Sequence, residues 1–204
     1  TGAIDNLHNL YKISRSENLW LHIDGAIGAA IKMTRRYKYK IRGLEKADSI
    51  AFDLHKWAHI PYEVGCCLIK NSQEHFKTFN IFSDYLESSE RGLASNDKWF
   101  SDYSIELSRG FKALKVWMTF REQGIAKIGK LIEQNINQAQ YLKKVIGYSP
   151  SLELLAPVEL NIVCFRFIRK KLSNSQLDVI NKEIVLQIQE SGMFLTSYTK
   201  IEGS

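Results

Sequence analysis

Proline and cysteine are scarce in this chain, with three of each among 204 residues. Such low proline, alongside only twelve glycines, excludes a collagen-like repeat and a proline-rich tether. The cysteines, Cys66, Cys67 and Cys164, are odd in number and lack Cys-x-x-Cys spacing. That excludes a disulfide framework and the common zinc-ligand pairs. All three are expected to be buried thiols serving as small hydrophobes, a usage that fits a reducing compartment, so the expected location is cytoplasmic. No uninterrupted apolar run approaches the roughly 18 residues of a membrane span, and no membrane partner is expected. The start has no Met, and Thr1-Gly2-Ala3-Ile4-Asp5 puts an acid where a secretory leader has its apolar core. The chain reads as a piece of something longer.

What is present is ordinary globular composition: 45% hydrophobic, 25% charged and 11% aromatic. Basic residues outnumber acidic ones 28 to 22, giving a formal charge of +6. The densest basic stretch, Lys32 to Arg42, interleaves Arg35, Arg36, Lys38 and Lys40 with Tyr37 and Tyr39. Cations on phosphates and tyrosines as stacking platforms would suit a nucleic acid. The remaining basic charge is scattered among acids, which favours a solvated surface segment, and no nucleic-acid partner is expected.

Short apolar runs predict strands at 19–23, 49–52 and 66–69, the first two separated by helical or irregular sequence; this is α/β layering. Residues 71–104 lack a sustained period and read as a long loop with short helices. Leu107, Phe111, Leu114 and Met118 then follow helical spacing up to a break at Gly124. A second stripe, Ile125, Ile128, Ile132, Ile136, Ala139, Leu142 and Ile146, ends at Gly147 and Pro150. Residues 161–167 are expected as a strand. Ser173-Asn174-Ser175 can cap a helix carrying Leu177, Ile180, Ile184 and Ile188, Gly192 is a stop, and 194–198 begin another strand.

Chemistry concentrates at two places. Asp24 ends the first apolar strand and is followed by small residues, Gly25-Ala26, that leave room for a flat ligand. His55-Lys56-Trp57 follows the second. In open α/β sheets ligands gather beyond the carboxyl ends of strands. A lysine and a carboxylate placed there match the needs of pyridoxal phosphate: an amine for the aldehyde and an anion that keeps the pyridine nitrogen protonated. On residue types alone Asp24 reads more readily as a helix cap, and His22 as a satisfied core residue. His55 and His59 have the spacing of a metal pair on a helix, but Pro61 and the adjacent strand argue against a helix there, so no metal site is expected.

The chain resembles the group II pyridoxal-phosphate-dependent amino acid decarboxylases, which include the aromatic-amino-acid and glutamate enzymes. Residues 19–26, Leu-Trp-Leu-His-Ile-Asp-Gly-Ala, resemble that family's strand leading to His-x-Asp-Ala-Ala. Ala47-Asp48-Ser49 through Asp53-Leu54-His55-Lys56-Trp57 resembles its lysine signature. Residues 99–103 and 107–117 resemble the entry to its long interdomain helix, and 161–167 the first strand of its small domain. Gly25 and Leu54 depart from the common Ala and Pro, and Val64 stands where many relatives have Cys or Ala.

This resemblance implies a fold-type I (aspartate aminotransferase-like) α/β architecture. Residues 1–115 would be the C-terminal part of the cofactor-binding large domain, and 116–204 linking helices plus a partial small domain. It implies pyridoxal 5'-phosphate as cofactor, Lys56 as the Schiff-base lysine, Asp24 as partner of the pyridinium nitrogen and Ala26 against one ring face. Asp53 falls near the cofactor phosphate, where relatives often carry Asn, and His55 lies beside the cofactor. Tyr85 matches a mobile-loop tyrosine that protonates the carbon losing carbon dioxide, and Arg109 matches a family arginine after that loop. The implied reaction is decarboxylation of an L-amino acid to the amine by a homodimer with shared active sites. The alternatives are a related enzyme forming an aldehyde, against which Tyr85 leans, and a catalytically incomplete fragment or pairing subunit.

Overall fold

Two short strands, β1 (His22–Asp24) and β2 (Ser49–Asp53), run parallel with Asp24 opposite Ala51, so both carboxyl ends lie on one edge. The computed structural model describes residues 2–80, 91–92, 95 and 98–201. β3 (Gly65–Ile69) pairs antiparallel with β2, placing Asp53 opposite Gly65 and completing a sheet of order β1-β2-β3. The crossover from β1 to β2 is made of 3-10 turns, Gly28–Met33, Lys38–Ile41 and Leu44–Lys46, instead of an α-helix. Its apolar residues Ala30, Ile31, Ile41 and Leu44 are buried. The basic stretch lies here. Tyr37 is half-buried under Arg36, whose guanidinium carbon sits 5.4 Å from the ring centroid, and Lys32 pairs with Glu45.

The chain divides into two compact units, Ile4–Glu133 and Gln134–Ser204 with Thr1–Ala3. In the first, α1 (Leu7–Ser16) begins under an Asn6 cap whose Oδ1 accepts the Asn9 N–H. Its Arg15 pairs with Asp48, and the same Asp48 Oδ2 accepts the Leu21 N–H at 2.7 Å. These bonds tie α1 to the start of β2. α2 (Ser72–Phe79) and a 3-10 turn at Phe100–Tyr103 meet through His75 and Tyr103, ring centroids 5.2 Å apart. α3 (Lys112–Gln123) ends at Gly124, whose φ of 73° takes the left-handed conformation open to glycine.

α4 (Ile125–Tyr148) starts in the first unit, where Ile128 and Ile132 are buried. Gly129 allows the close approach there, since a Cβ at that position would lie 2.3 Å from the Met33 carbonyl oxygen. Four residues on, Glu133 Oε1 accepts both the Arg35 and Arg36 N–H groups at 2.9 Å.

In the second unit Ile136, Ala139 and Ile146 of α4 are buried, as are Val158, Leu160 and Leu177. β4 (Leu152–Leu154) and β5 (Phe165–Phe167) form an antiparallel pair. α5 (Asn174–Glu190) opens with a reciprocal Ser173–Gln176 capping box. Asn181 fastens it to β5 by accepting the Phe167 N–H at 2.7 Å and donating to the Phe167 carbonyl at 3.0 Å.

Several expectations change. The strand expected over 161–167 is regular only at 165–167, and the one expected over 194–198 does not form, for it has no strand to pair with among the described residues. Leu107 and Phe111 precede α3, and the face of α3 packed on the sheet connection is Val116 and Phe120, while Leu114 and Met118 are exposed. Of the thiols expected to be buried, Cys67 is exposed, as are its β3 neighbours Gly65 and Leu68, and Cys66 and Cys164 are half-buried. No helix among the described residues is long and apolar enough to cross a membrane.

Asp48 supplies a pH signature. The Leu21 N–H, followed by Arg15, holds its carboxyl below the ordinary value of 3.8. A carboxyl depressed on folding contributes stability that is complete above its unfolded value and is lost as pH falls through its folded one. Thermal unfolding followed from about pH 5 to pH 3 should therefore show a falling midpoint. In Asp48→Asn that fall should be shallower and the midpoint at neutral pH lower. An unchanged slope would show that the Asp48 pairing is not an acid-sensitive tie.

Candidate active site

Asp24 and Asp53 are the last residues of β1 and β2, so the parallel pairing brings both carboxylates to one edge of the sheet. Backbone bonds lock that edge. The Gly25 N–H donates to the Ala51 carbonyl at 2.9 Å, and the Asp53 N–H to the Ala26 carbonyl at 3.3 Å. Asp24 turns back on itself, its Oδ1 accepting the Ala26 N–H at 3.0 Å. A side chain at Gly25 would not fit, since its Cβ would stand 2.8 Å from the Ala29 Cβ and 3.0 Å from the Ala51 oxygen. Glycine in place of the family's usual Ala is thus matched by the methyl of Ala29.

Lys56 lies in the turn three residues past Asp53, its N–H donating to the Asp53 carbonyl at 3.1 Å. Its Nζ pairs with Asp53 Oδ2 at 2.6 Å, and the side chain remains 44% exposed. That bond holds the Asp53 carboxyl below its ordinary range. His55 points the other way, toward Val64. Its Nδ1 lies 2.9 Å from the Val64 carbonyl and 3.1 Å from the Val64 nitrogen, and its ring meets Tyr62 edge-on at 4.9 Å. With that bonding His55 fixes the lysine turn. Among the described residues there is no cluster of three or more potential metal ligands.

The turn rests on its own small core. Leu54, Ala58, Ile60 and Val64 are buried against Phe52, Met33 and, from α3, Val116 and Phe120. Each well-buried aliphatic side chain contributes about 1.5–3 kcal/mol. Two charged contacts from α3 reinforce the far side: Lys112 Nζ to Glu63 at 2.7 Å and Lys115 Nζ to the Tyr62 carbonyl at 3.1 Å. Lys112 keeps the Glu63 carboxyl below its ordinary range, and Glu63 raises Lys112 in return.

The structure thus brings Asp24, Ala26, Asp53 and Lys56 to one edge, while the His55 side chain turns to Val64. Tyr85 lies outside the described residues. Arg109 belongs to a different contact, donating from Nη2 to the Phe100 carbonyl and the Ser104 hydroxyl, so it clips residues 100–109 together. Sequence reading missed the support of the turn by Glu63 and Lys112, which are 49 positions apart with no local pattern linking them. It also missed Ser49, whose buried hydroxyl accepts the Trp20 indole N–H at 2.8 Å and pairs with His22 Nδ1 at 2.7 Å. His22, though bonded to Ser49, is exposed on β1 and is not a core residue.

An exposed amine and a carboxylate beyond the carboxyl ends of adjacent parallel strands form a donor set suited to a pyridoxal-type cofactor: the amine for its aldehyde, the carboxylate for its ring nitrogen. The fold agrees with that class. The structure superposes on that of Oryza sativa TDC with PLP and tryptamine with a TM-score of 0.89 at 21% identity, covering 100% of this chain and 42% of that one. The architecture is that of the fold-type I pyridoxal phosphate enzymes.

The pyridoxal-dependent decarboxylase conserved domain matches residues 1–168, and the chain belongs to that family. Aromatic-L-amino-acid decarboxylase of Bacillus atrophaeus is 36% identical over 202 residues, covering 98% of this chain and 42% of that protein. Phenylacetaldehyde synthase of Petunia hybrida is 26% identical over 213 residues, covering 100% and 41%. The chain spans about two-fifths of the length of these relatives. The family's cofactor is pyridoxal 5'-phosphate.

Proposed function

We propose that the polypeptide carrying this chain decarboxylates an L-amino acid to the amine and carbon dioxide, with Lys56 as the residue that attaches the cofactor. The observation that carries this reading is the placement of Asp24 at the carboxyl end of β1 and of Lys56 just past that of β2, at one edge of the sheet. Pyridoxal 5'-phosphate supplies there an electron sink for the bond that loses carbon dioxide. The Lys56 side chain is exposed, which gives an aldehyde access to it once Nζ leaves Asp53. Asp24, whose Oδ1 is engaged by the Ala26 N–H, would keep a proton at the ring nitrogen of the bound cofactor. Ala26 offers one face of the ring a surface without bulk. His55, tied to Val64, holds the lysine turn in place.

Residues 1–115 belong to the large domain in this reading, and 116–204 to linking helices and part of the small one. The reading also takes the enzyme to be a cytoplasmic homodimer, with Tyr85 as the proton donor at a shared site, on the strength of the family resemblance.

The 36% identity to an aromatic-L-amino-acid decarboxylase favours an aromatic substrate. Full-length polypeptide loaded with pyridoxal 5'-phosphate and given L-phenylalanine, L-tyrosine or L-tryptophan should release carbon dioxide and amine in equal amounts. The likeness to a phenylacetaldehyde synthase defines the second reading, in which aldehyde replaces the amine among the products. Cofactor uptake without either product, or no uptake at all, would overturn both in favour of an incomplete or pairing subunit.

A further inference from the structure

The Lys56–Asp53 ion pair joins the group that must react to a carboxylate with no evident part in the reaction. Lys56 Nζ sits 2.6 Å from Asp53 Oδ2, and Asp53 is itself fixed, its N–H on the Ala26 carbonyl and its carbonyl accepting the Lys56 N–H. Fixed at both ends, the three-residue connection holds amine and carboxylate within reach of each other. We propose that Asp53 is a positioning residue that competes with the cofactor aldehyde for the Lys56 amine and so slows cofactor capture. The proposal rests on Lys56 being the attachment residue.

A nitrogen that donates to a carboxylate as an ammonium has no lone pair to give. In the capture step Nζ must leave Asp53 and release one proton to solvent. Its lone pair then forms the first bond to the aldehyde carbon, the electron pair freed as nitrogen sheds its two remaining hydrogens forms the second, and the carbonyl oxygen departs with those hydrogens as water. No oxidant or reductant is needed. Asp53 therefore opposes the first event in the sequence. The pair is partly exposed, with Asp53 at 25%, and pairs of that kind are weak, so the brake is modest.

The test uses cofactor-free full-length polypeptide and follows the absorbance of the lysine-bound cofactor, with borohydride reduction and peptide mass to locate the adduct. Asp53→Asn should capture pyridoxal 5'-phosphate about fivefold faster than the unaltered protein. Asp53→Glu, which keeps the charge, should remain slow. The same ordering should hold for pyridoxal, which has no phosphate. Equal rates for Asp53→Asn and the unaltered protein would overturn the proposal. Acceleration confined to the phosphorylated aldehyde would overturn it too, because the carboxylate would then act by repelling phosphate and not by holding the amine. An adduct located elsewhere than Lys56 would instead defeat the assignment of the attachment residue.

Discussion

Lys56→Ala should abolish covalent cofactor attachment and lower decarboxylation by on the order of a thousandfold or more, because a nucleophile that acts within a unit is not replaced by its neighbours. Lys56 is exposed, and its side chain is absent from the apolar cluster under the turn, so the variant should fold with an unfolding midpoint close to that of the unaltered protein. Borohydride treatment followed by mass analysis reads the result directly. A reduced cofactor adduct surviving in the alanine variant would mean that another amine is the attachment point. Lys12, Lys32 and Lys46 all lie elsewhere than the edge formed by Asp24 and Asp53. Removal of Lys56 also frees Asp53, whose carboxyl should rise toward its ordinary range once its largest depressing contact is gone.

Asp24→Asn should be nearly as damaging as Asp24→Ala, and this comparison isolates charge from shape. Asparagine retains an oxygen that can accept the Ala26 N–H, so the turn after β1 keeps its geometry. It lacks the negative charge needed to keep a proton on the ring nitrogen. Both variants should bind cofactor and lose turnover by about a hundredfold or more. If asparagine restored near-normal turnover, the carboxylate would be holding the turn and nothing more. A thermal shift larger for alanine than for asparagine would measure the structural share of Asp24 separately.

Legibility in the sequence followed how local each signal was. Asp24, His55 and Lys56 stood out because they sit where apolar strands stop, and the parallel register of β1 and β2 brings those stops together. The second helical stripe was plain in its middle, since Ile128, Ile132, Ile136 and Ile146 are all almost fully buried, whereas Ile125 and Leu142, read as part of it, are exposed. The face of α3 was misread because that helix carries apolar residues on more than one side, and periodicity cannot choose between Leu114–Met118 and Val116–Phe120. α1 went unnoticed although Asn6 caps it and Leu7, Tyr11 and Ser14 share its buried side. The direction of β3 was also invisible, because an apolar run has no arrow. Contacts between distant positions, such as Glu63 with Lys112 and Glu133 with the Arg35 and Arg36 amides, leave no trace in any short window.

The antiparallel return of β3 has a consequence for how this region tolerates change in length. Residues 54–64 begin and end opposite one another, at Asp53 and Gly65, and are plugged by Leu54, Ala58, Ile60 and Val64. One residue added or removed within that closed connection either slides β3 by one pleat, exchanging the two faces of the strand, or expels part of the plug. Both outcomes move Lys56 relative to Asp24. A change of length is therefore most damaging between Leu54 and Ile60, around Lys56, while the exposed residues Pro61, Tyr62 and Glu63 give the span what slack it has.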